Sequence, residues 1–251
     1  MENKDIIYGK NAVEGLFLSE KTDRINKIII TEHAKKDPKI KNILKLASDN
    51  RIPVQIAPKE KLSSMTEQSH QGIIAVVAPI SYTDFDDFAA LLKGREKSLV
   101  ILLDGVEDPH NLGAIIRSAK CAGAQGVIIP KRRTSLVTSV VEKCSAGAVS
   151  QLPIVQVSNL NNAIDDLKKI GFWVYGAEAS GSENYFDVRY DTNTAFILGG
   201  ENQGISRLSA KKCDVLIKIP MPGEFNSLNV SNAAAILMFE FVRQQINVKK
   251  R

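Results

Sequence analysis

Short apolar runs alternate with apolar positions at helical spacing along most of this chain. From residue 99 onward the runs at Leu99–Leu103, Gly126–Pro130, Pro153–Val157, Phe172–Gly176, Ala195–Gly199 and Val215–Ile219 read as buried strands. Between them, Val137, Val140, Val141 and Cys144, and then Leu160, Ala163, Ile164 and Leu167, fall on single helix faces. Leu112, Ile115, Ile116 and Ala119 make a third such stripe. A last helix, from Val230 to about residue 245, is alanine-rich and apolar nearly all round at its start, as in a core or a subunit interface. Nearly continuous apolar strands alternating with amphipathic helices predict an α/β domain whose mostly parallel sheet is covered on both faces.

The first part of the chain has its own rhythm. Val13, Leu16 and Phe17 have helical spacing, and Lys27–Ile30 is a short strand. Ile40, Ile43, Leu44 and Ala47 mark a helix face, Pro53–Ala57 a strand, Lys59–Met65 a short helix and Gly72–Ala78 a buried strand. The order α-β-α-β-α-β predicts a small α/β unit over residues 1–78. Residues 79–97 join it to the rest as a linker carrying a short helix, with Phe85, Phe88, Ala89 and Leu92 on one face. Residues 98–251 form the larger domain.

Composition narrows the class. Of 251 residues, 44% are hydrophobic and 24% charged, as in ordinary globular proteins. No apolar run reaches the roughly 18 residues that span a bilayer. The N-terminus lacks the apolar core of a secretory signal. The three cysteines, Cys121, Cys144 and Cys213, form neither a disulfide framework nor CxxC spacing, so a reducing cytoplasm is expected. The net charge of +5 permits a nucleic-acid partner without requiring one. Of the two tight basic clusters, Lys131-Arg132-Arg133 follows a strand and is placed to touch phosphates, whereas the tail Lys249-Lys250-Arg251 reads as solvated surface.

Three polar loops follow strands, the edge at which open parallel sheets bind ligands. The first, Asp104 to Asn111, precedes the helix of the Leu112 stripe; Asn111 is a good N-cap and Pro109 is expected to bar an earlier start. Arg117 lies about 140° from the centre of that stripe, so it is not a core position. It stands roughly 9 Å along the helix from Asn111, within reach of a long side chain leaning back toward the loop. The second loop, Leu198 to Ile205, has three glycines that allow close backbone approach but matches neither a P-loop nor a dinucleotide fingerprint. The third, Ile219 to Ser231, is stiffened by Pro220 and Pro222 and holds more Asn and Ser than one helix cap requires. No G-x-S-x-G elbow and no H-E-x-x-H or CxxC pair is present, which disfavours serine-hydrolase and zinc chemistry. No metal is expected. On the residues alone, an enzyme acting on a nucleotide-like small molecule stays open.

DPHNLGAIIRSA, ILGGENQG and IPMPGEFNSLNVSNAAAI, in this order, resemble the three motifs of the SpoU/TrmH family of RNA ribose 2′-O-methyltransferases, in the SPOUT superfamily. YGKNAVEGL and HQGIIAVV in residues 1–78 resemble its small ribosomal-protein-L30e-like substrate-binding domain. The resemblance implies a C-terminal SPOUT domain with a trefoil knot, S-adenosylmethionine (the methyl donor) held by the knot loops, an RNA substrate and a homodimer. Among family members the likeness is greatest to those acting on a guanosine of bacterial 23S rRNA. Carried over by position, Gly199, Ile219 and Leu228 hold the cofactor, with Leu198, Gly200, Met221 and Asn229 beside them. Asn111, Arg117, Glu201, Ser227 and Asn229 match active-site positions, and Arg117 is the catalytic candidate, as general base or as a clamp on the neighbouring phosphate. A tRNA ribose methyltransferase and a non-catalytic RNA-binding assembly factor are the alternatives.

Overall fold

The computed structural model describes residues 5–18, 22–78, 81–200, 203–224 and 226–248. In chain order the elements are β1 (Asp5–Tyr8), α1 (Lys10–Phe17), β2 (Ile25–Ile30), α2 (Pro38–Asp49), β3 (Val54–Ile56), α3 (Lys59–Met65), β4 (Ile73–Val77), α4 (Phe85–Leu92), β5 (Leu99–Asp104), α5 (Pro109–Cys121), β6 (Gly126–Pro130) and α6 (Ser139–Cys144). They continue with β7 (Ile154–Val157), α7 (Leu160–Lys169), β8 (Phe172–Ala177), β9 (Glu183–Asn184), β10 (Asn193–Gly199), α8 (Arg207–Lys212), β11 (Val215–Lys218) and α9 (Val230–Val248). The chain divides into two compact units, Met1–Ser81 with Val137–Gln151, and Tyr82–Leu136 with Leu152–Arg251.

The first unit holds a four-stranded sheet in the order β1-β4-β2-β3. Strands β1 and β2 pair antiparallel with β4, and β2 pairs parallel with β3. Alternate residues of a strand face opposite sides, so Ile28, Ile30, Ile73 and Ala75 pack under α1 and α2. Ile29, Ile74 and Val76 meet Leu62 of α3 on the other side. The sequence pattern misses β1, because a strand of four residues is fixed by its pairing with β4 and not by its own periodicity.

Val137–Gln151, which the hydrophobic pattern reads as part of the 98–251 stretch, groups with this first unit. Two contacts account for it. The buried Arg24 guanidinium donates to Glu142 Oε1 at 3.0 Å and to the Ala78 carbonyl at 2.9 Å. Gly15 of α1 lies so close to Gly147 that a Cβ on either would sit within 3.0 Å of the other's Cα.

The second unit carries a seven-stranded sheet in the order β7-β6-β5-β10-β8-β11-β9, and each pairing is parallel. Val100, Leu102, Ala195 and Ile197 bury one face against α4 and α7, through Phe88, Leu92, Ile164 and Leu167. Helices α5 and α9 pack on each other, with Leu112, Ile115, Ile116, Ala234, Leu237 and Met238 fully buried. This is the α/β fold with a large parallel sheet that the pattern predicts.

One boundary differs. Helix α5 begins at Pro109, not after Asn111, and Asp108 is its N-cap, accepting from the His110 N–H at 2.9 Å. Proline is tolerated at the first helical position because the N–H it lacks has no intrahelical partner there. Asn111 is thereby drawn inside the helix and buried.

Candidate active site

Strands β5, β10 and β11 are parallel neighbours or near neighbours, so their polar exits emerge at the same sheet edge. The first two exits are locked by backbone. The Gly200 N–H donates to the Asp104 carbonyl at 2.9 Å, and Asp104 Oδ2 accepts from the Ser206 N–H at 2.9 Å. A Cβ on Gly200 would lie 1.9 Å from the Gly105 oxygen, and one on Gly199 would lie 1.8 Å from the Gly204 carbonyl carbon. These two positions therefore require glycine for space, and Gly204 requires it for its φ of +62°. The turn closes through a bond from the Gly204 N–H to the Gly200 oxygen at 3.0 Å.

The third exit is tied to the first by side chains. Asn229 Nδ2 donates to Asn111 Oδ1 at 2.9 Å, and Asn229 Oδ1 accepts from the Ser231 N–H at 2.9 Å and from Ser231 Oγ at 2.6 Å. Asn229 is thus both the cap of α9 and the bridge to α5.

A cavity of about 390 Å³ opens between the second and third loops and the end of β8. Leu198, Gly199, Gly200, Ile219, Met221, Ser227 and Leu228 line it. The sequence therefore singles out seven of the lining residues. It misses Ala177, Glu178, Ala179 and Ser180, which close one side, and Asn226, Val230 and Ala233. The β8 exit carries small and polar residues like the other loops, and the rule that ligands sit beyond strand carboxyl ends points to it once β8 is known to neighbour β10.

Not every predicted residue comes to this cavity. Asn229 does not line it and acts through Asn111. Arg117 is exposed on α5, off the buried stripe, and lines none of the cavities described here. Glu201 lies outside the described residues.

The walls suit a ligand with both flat and charged parts. Glycine backbone edges and Leu198, Ile219, Met221 and Leu228 offer close apolar contact, while Glu178, Ser180, Asn226 and Ser227 offer polar groups. Its volume is within the range of small-molecule sites, about 300–1,000 Å³. Nearby, Cys213 is no nucleophile: burial, with the Asp214 carboxylate adding to it, pushes its thiol up to about 12. Its Sγ packs so closely on Gly176 that a Cβ there would lie 2.7 Å away.

Comparison with known proteins agrees with this arrangement. Residues 98–239 match the family model of the SpoU rRNA Methylase family, and residues 6–83 match that for RNA 2′-O ribose methyltransferase substrate binding. A Staphylococcus aureus protein named as a TrmH family tRNA/rRNA methyltransferase is 46% identical over 244 residues, 97% of each chain. The SpoU methyltransferase AviRb from Streptomyces viridochromogenes superposes with a TM-score of 0.81 at 25% identity, covering 97% of this chain and 90% of that one. An AdoMet-bound rRNA methyltransferase from Sinorhizobium meliloti shares the fold, with a TM-score of 0.79 at 24% identity over 96% of this chain and 87% of that one.

Proposed function

The chain belongs to the SpoU rRNA methylase family, a family of RNA methyltransferases, and we propose that it methylates the ribose 2′-hydroxyl of a guanosine in 23S rRNA. The observation that carries this reading is the cavity where the glycine turn of the second loop meets the third loop. The S. meliloti relative carries AdoMet, and the residues here fit the same cofactor. In this reading Leu198, Gly199, Gly200, Ile219, Met221 and Leu228 hold it in the trefoil knot of the family fold.

When bound, S-adenosylmethionine supplies an electrophilic methyl group on a sulfonium. The chain's own task is to align the hydroxyl oxygen with that methyl and to help the oxygen lose its proton. Alignment alone supplies several kcal/mol, and the Asn111–Asn229 bridge fixes the loops that impose it. Arg117 serves the hydroxyl, either as base or by clamping the adjacent phosphate while polarising the oxygen. The clamp is favoured physically, because a guanidinium on an exposed helix flank stays charged, and a charged guanidinium cannot accept a proton. Glu201 and Ser227 complete the polar set. The methyl–sulfur bond breaks as the oxygen–methyl bond forms, and the proton passes to solvent or base.

The enzyme is read as cytoplasmic and homodimeric, with the apolar start of α9 beside the interface. A tRNA substrate is the second reading, since the name of the S. aureus relative spans both RNAs. Transfer of labelled methyl to unmodified 23S rRNA and tRNA transcripts, followed by mapping of alkali-resistant linkages, decides between them. Label at a guanosine ribose of 23S rRNA is the expected outcome. Label confined to tRNA selects the second reading, and cofactor binding with no transfer to either RNA selects an assembly factor.

A further inference from the structure

A second cavity, of about 400 Å³, lies at the exits of β5, β6 and β7. Gly200 and Gly204 line both cavities, so the glycine turn of the second loop is the partition between them. The far side of this partition is basic. Arg132 and Arg133, from the loop after β6, line it, and among the described residues neither has an ion-pair partner within 4.0 Å. Their loop is held in place: the Val106 carbonyl accepts from the Ser135 N–H at 2.9 Å and from Thr134 Oγ1 at 3.2 Å. Arg133 keeps a left-handed backbone, φ +53°, a conformation unfavourable for a side chain of its kind. Deeper in, Asn161 Oδ1 is buried and pairs with no donor among the described residues. Ser158 and Gln203 add hydroxyl and amide groups.

This combination has a specific chemistry. Two guanidinium groups on a fixed loop match the oxygens of a phosphodiester. An unpaired buried acceptor is costly unless a ligand supplies an N–H or O–H. Phosphate oxygens are acceptors only, so Asn161 requires a donor from another part of the same ligand. A ribonucleotide unit carries both, in its phosphate and in its base N–H or 2′-hydroxyl. We propose that the second cavity holds the unpaired nucleotide next to the methylated one, with its phosphate on Arg132 and Arg133 and a base or ribose donor on Asn161. The proposal rests on the RNA methyltransferase reading and extends it: the glycine turn separates the cofactor from the flanking nucleotide, leaving the target ribose to reach the methyl around its edge.

Three variants test it: Arg132→Ala/Arg133→Ala together, Asn161→Leu, and Lys131→Ala, which alters charge next to the cavity without lining it. Binding of unmodified 23S rRNA and tRNA transcripts is measured across a salt series, with methyl-transfer kinetics and calorimetric S-adenosylmethionine binding alongside. The double variant is expected to bind RNA at least tenfold more weakly, with a log–log salt slope shallower by about 1.4 for two single-strand phosphate contacts. Its KM for RNA rises, while S-adenosylmethionine affinity stays within twofold. Asn161→Leu raises KM about fivefold with an unchanged salt slope, and Lys131→Ala stays within twofold throughout. Wild-type RNA binding by the double variant, or wild-type KM in Asn161→Leu, overturns the proposal while leaving the methyltransferase reading intact. An equal loss of cofactor affinity in the double variant also overturns it, because the arginines then act on the fold. If the unmutated protein neither binds nor methylates either RNA, the functional reading itself fails and this proposal falls with it.

Discussion

Arg117 occupies the exposed flank of α5, four residues before its end, where nothing in the core asks for an arginine. Its replacement by alanine should therefore leave the protein folded and S-adenosylmethionine affinity within twofold. Methyl transfer should fall by about 100-fold or more, the usual scale for a group that assists proton loss. Arg117→Lys separates its roles: a fork that must grip phosphate is not replaced by a point charge, so full turnover in this variant would reject a guanidinium-specific function. His70 gives a residue-scale test of the first unit. It is buried, its Nδ1 accepts from the Gly72 N–H at 3.1 Å and its Nε2 lies 3.3 Å from Ser63 Oγ. Burial, and then the Lys59 charge, hold its pKa below the ordinary 6.5. The unfolded chain thus takes up this proton first. As pH falls through 6.5 toward the lower folded value, the unfolded state binds more protons and stability drops. Urea unfolding at pH 7.5, 6.0 and 5.0 should show that decline, and His70→Gln should flatten it. Helix-wheel position made the exposure of Arg117 legible in the sequence. The environment of His70 was not, because its partners become neighbours only when the 63–72 segment folds back on itself.

At the scale of elements, most strands and helices can be read from periodicity because they are short apolar runs buried on two faces, as β5 and β10 are. Ends are harder. The start of α5 depends on which of Asp108 and Asn111 caps it, and both are good capping residues. Folding settles the matter by using Asn111 to reach Asn229, 118 residues away, a contact that no local pattern encodes. Asp108→Ala should cost about 1 kcal/mol in chemical denaturation, the typical value of a lost N-cap. Asn229→Ala removes both the α9 cap and one donor to Asn111, so it should cost about 1–2 kcal/mol. It should also weaken cofactor binding, which Asp108→Ala should not. Equal effects of the two variants on cofactor binding would mean that the bridge between α5 and α9 has no part in shaping the site. The glycine turn is legible as a motif, but its requirement for glycine is visible only in space, where Gly105 and Gly204 crowd the two Cβ positions.

For the whole molecule, the sequence shows two α/β stretches and an acidic join, yet it does not show where α6 packs. Its helical stripe is plain, but its anchor is the Arg24–Glu142 pair, buried on both sides and joined across 118 residues. Breaking such a pair leaves an uncompensated buried charge, so Glu142→Ala should cost about 3–5 kcal/mol in unfolding experiments. Less than 1 kcal/mol would mean that Val137–Gln151 is not part of the first unit's fold. The central claim concerns the second unit: its glycine turn and third loop form the cofactor cavity. Calorimetric titration of S-adenosylmethionine into the unmutated protein and into Gly199→Val tests it most directly. One bound cofactor per chain, with binding lost in the folded variant because the added side chain collides with Gly204, is the predicted result. Unchanged affinity in Gly199→Val would contradict the account.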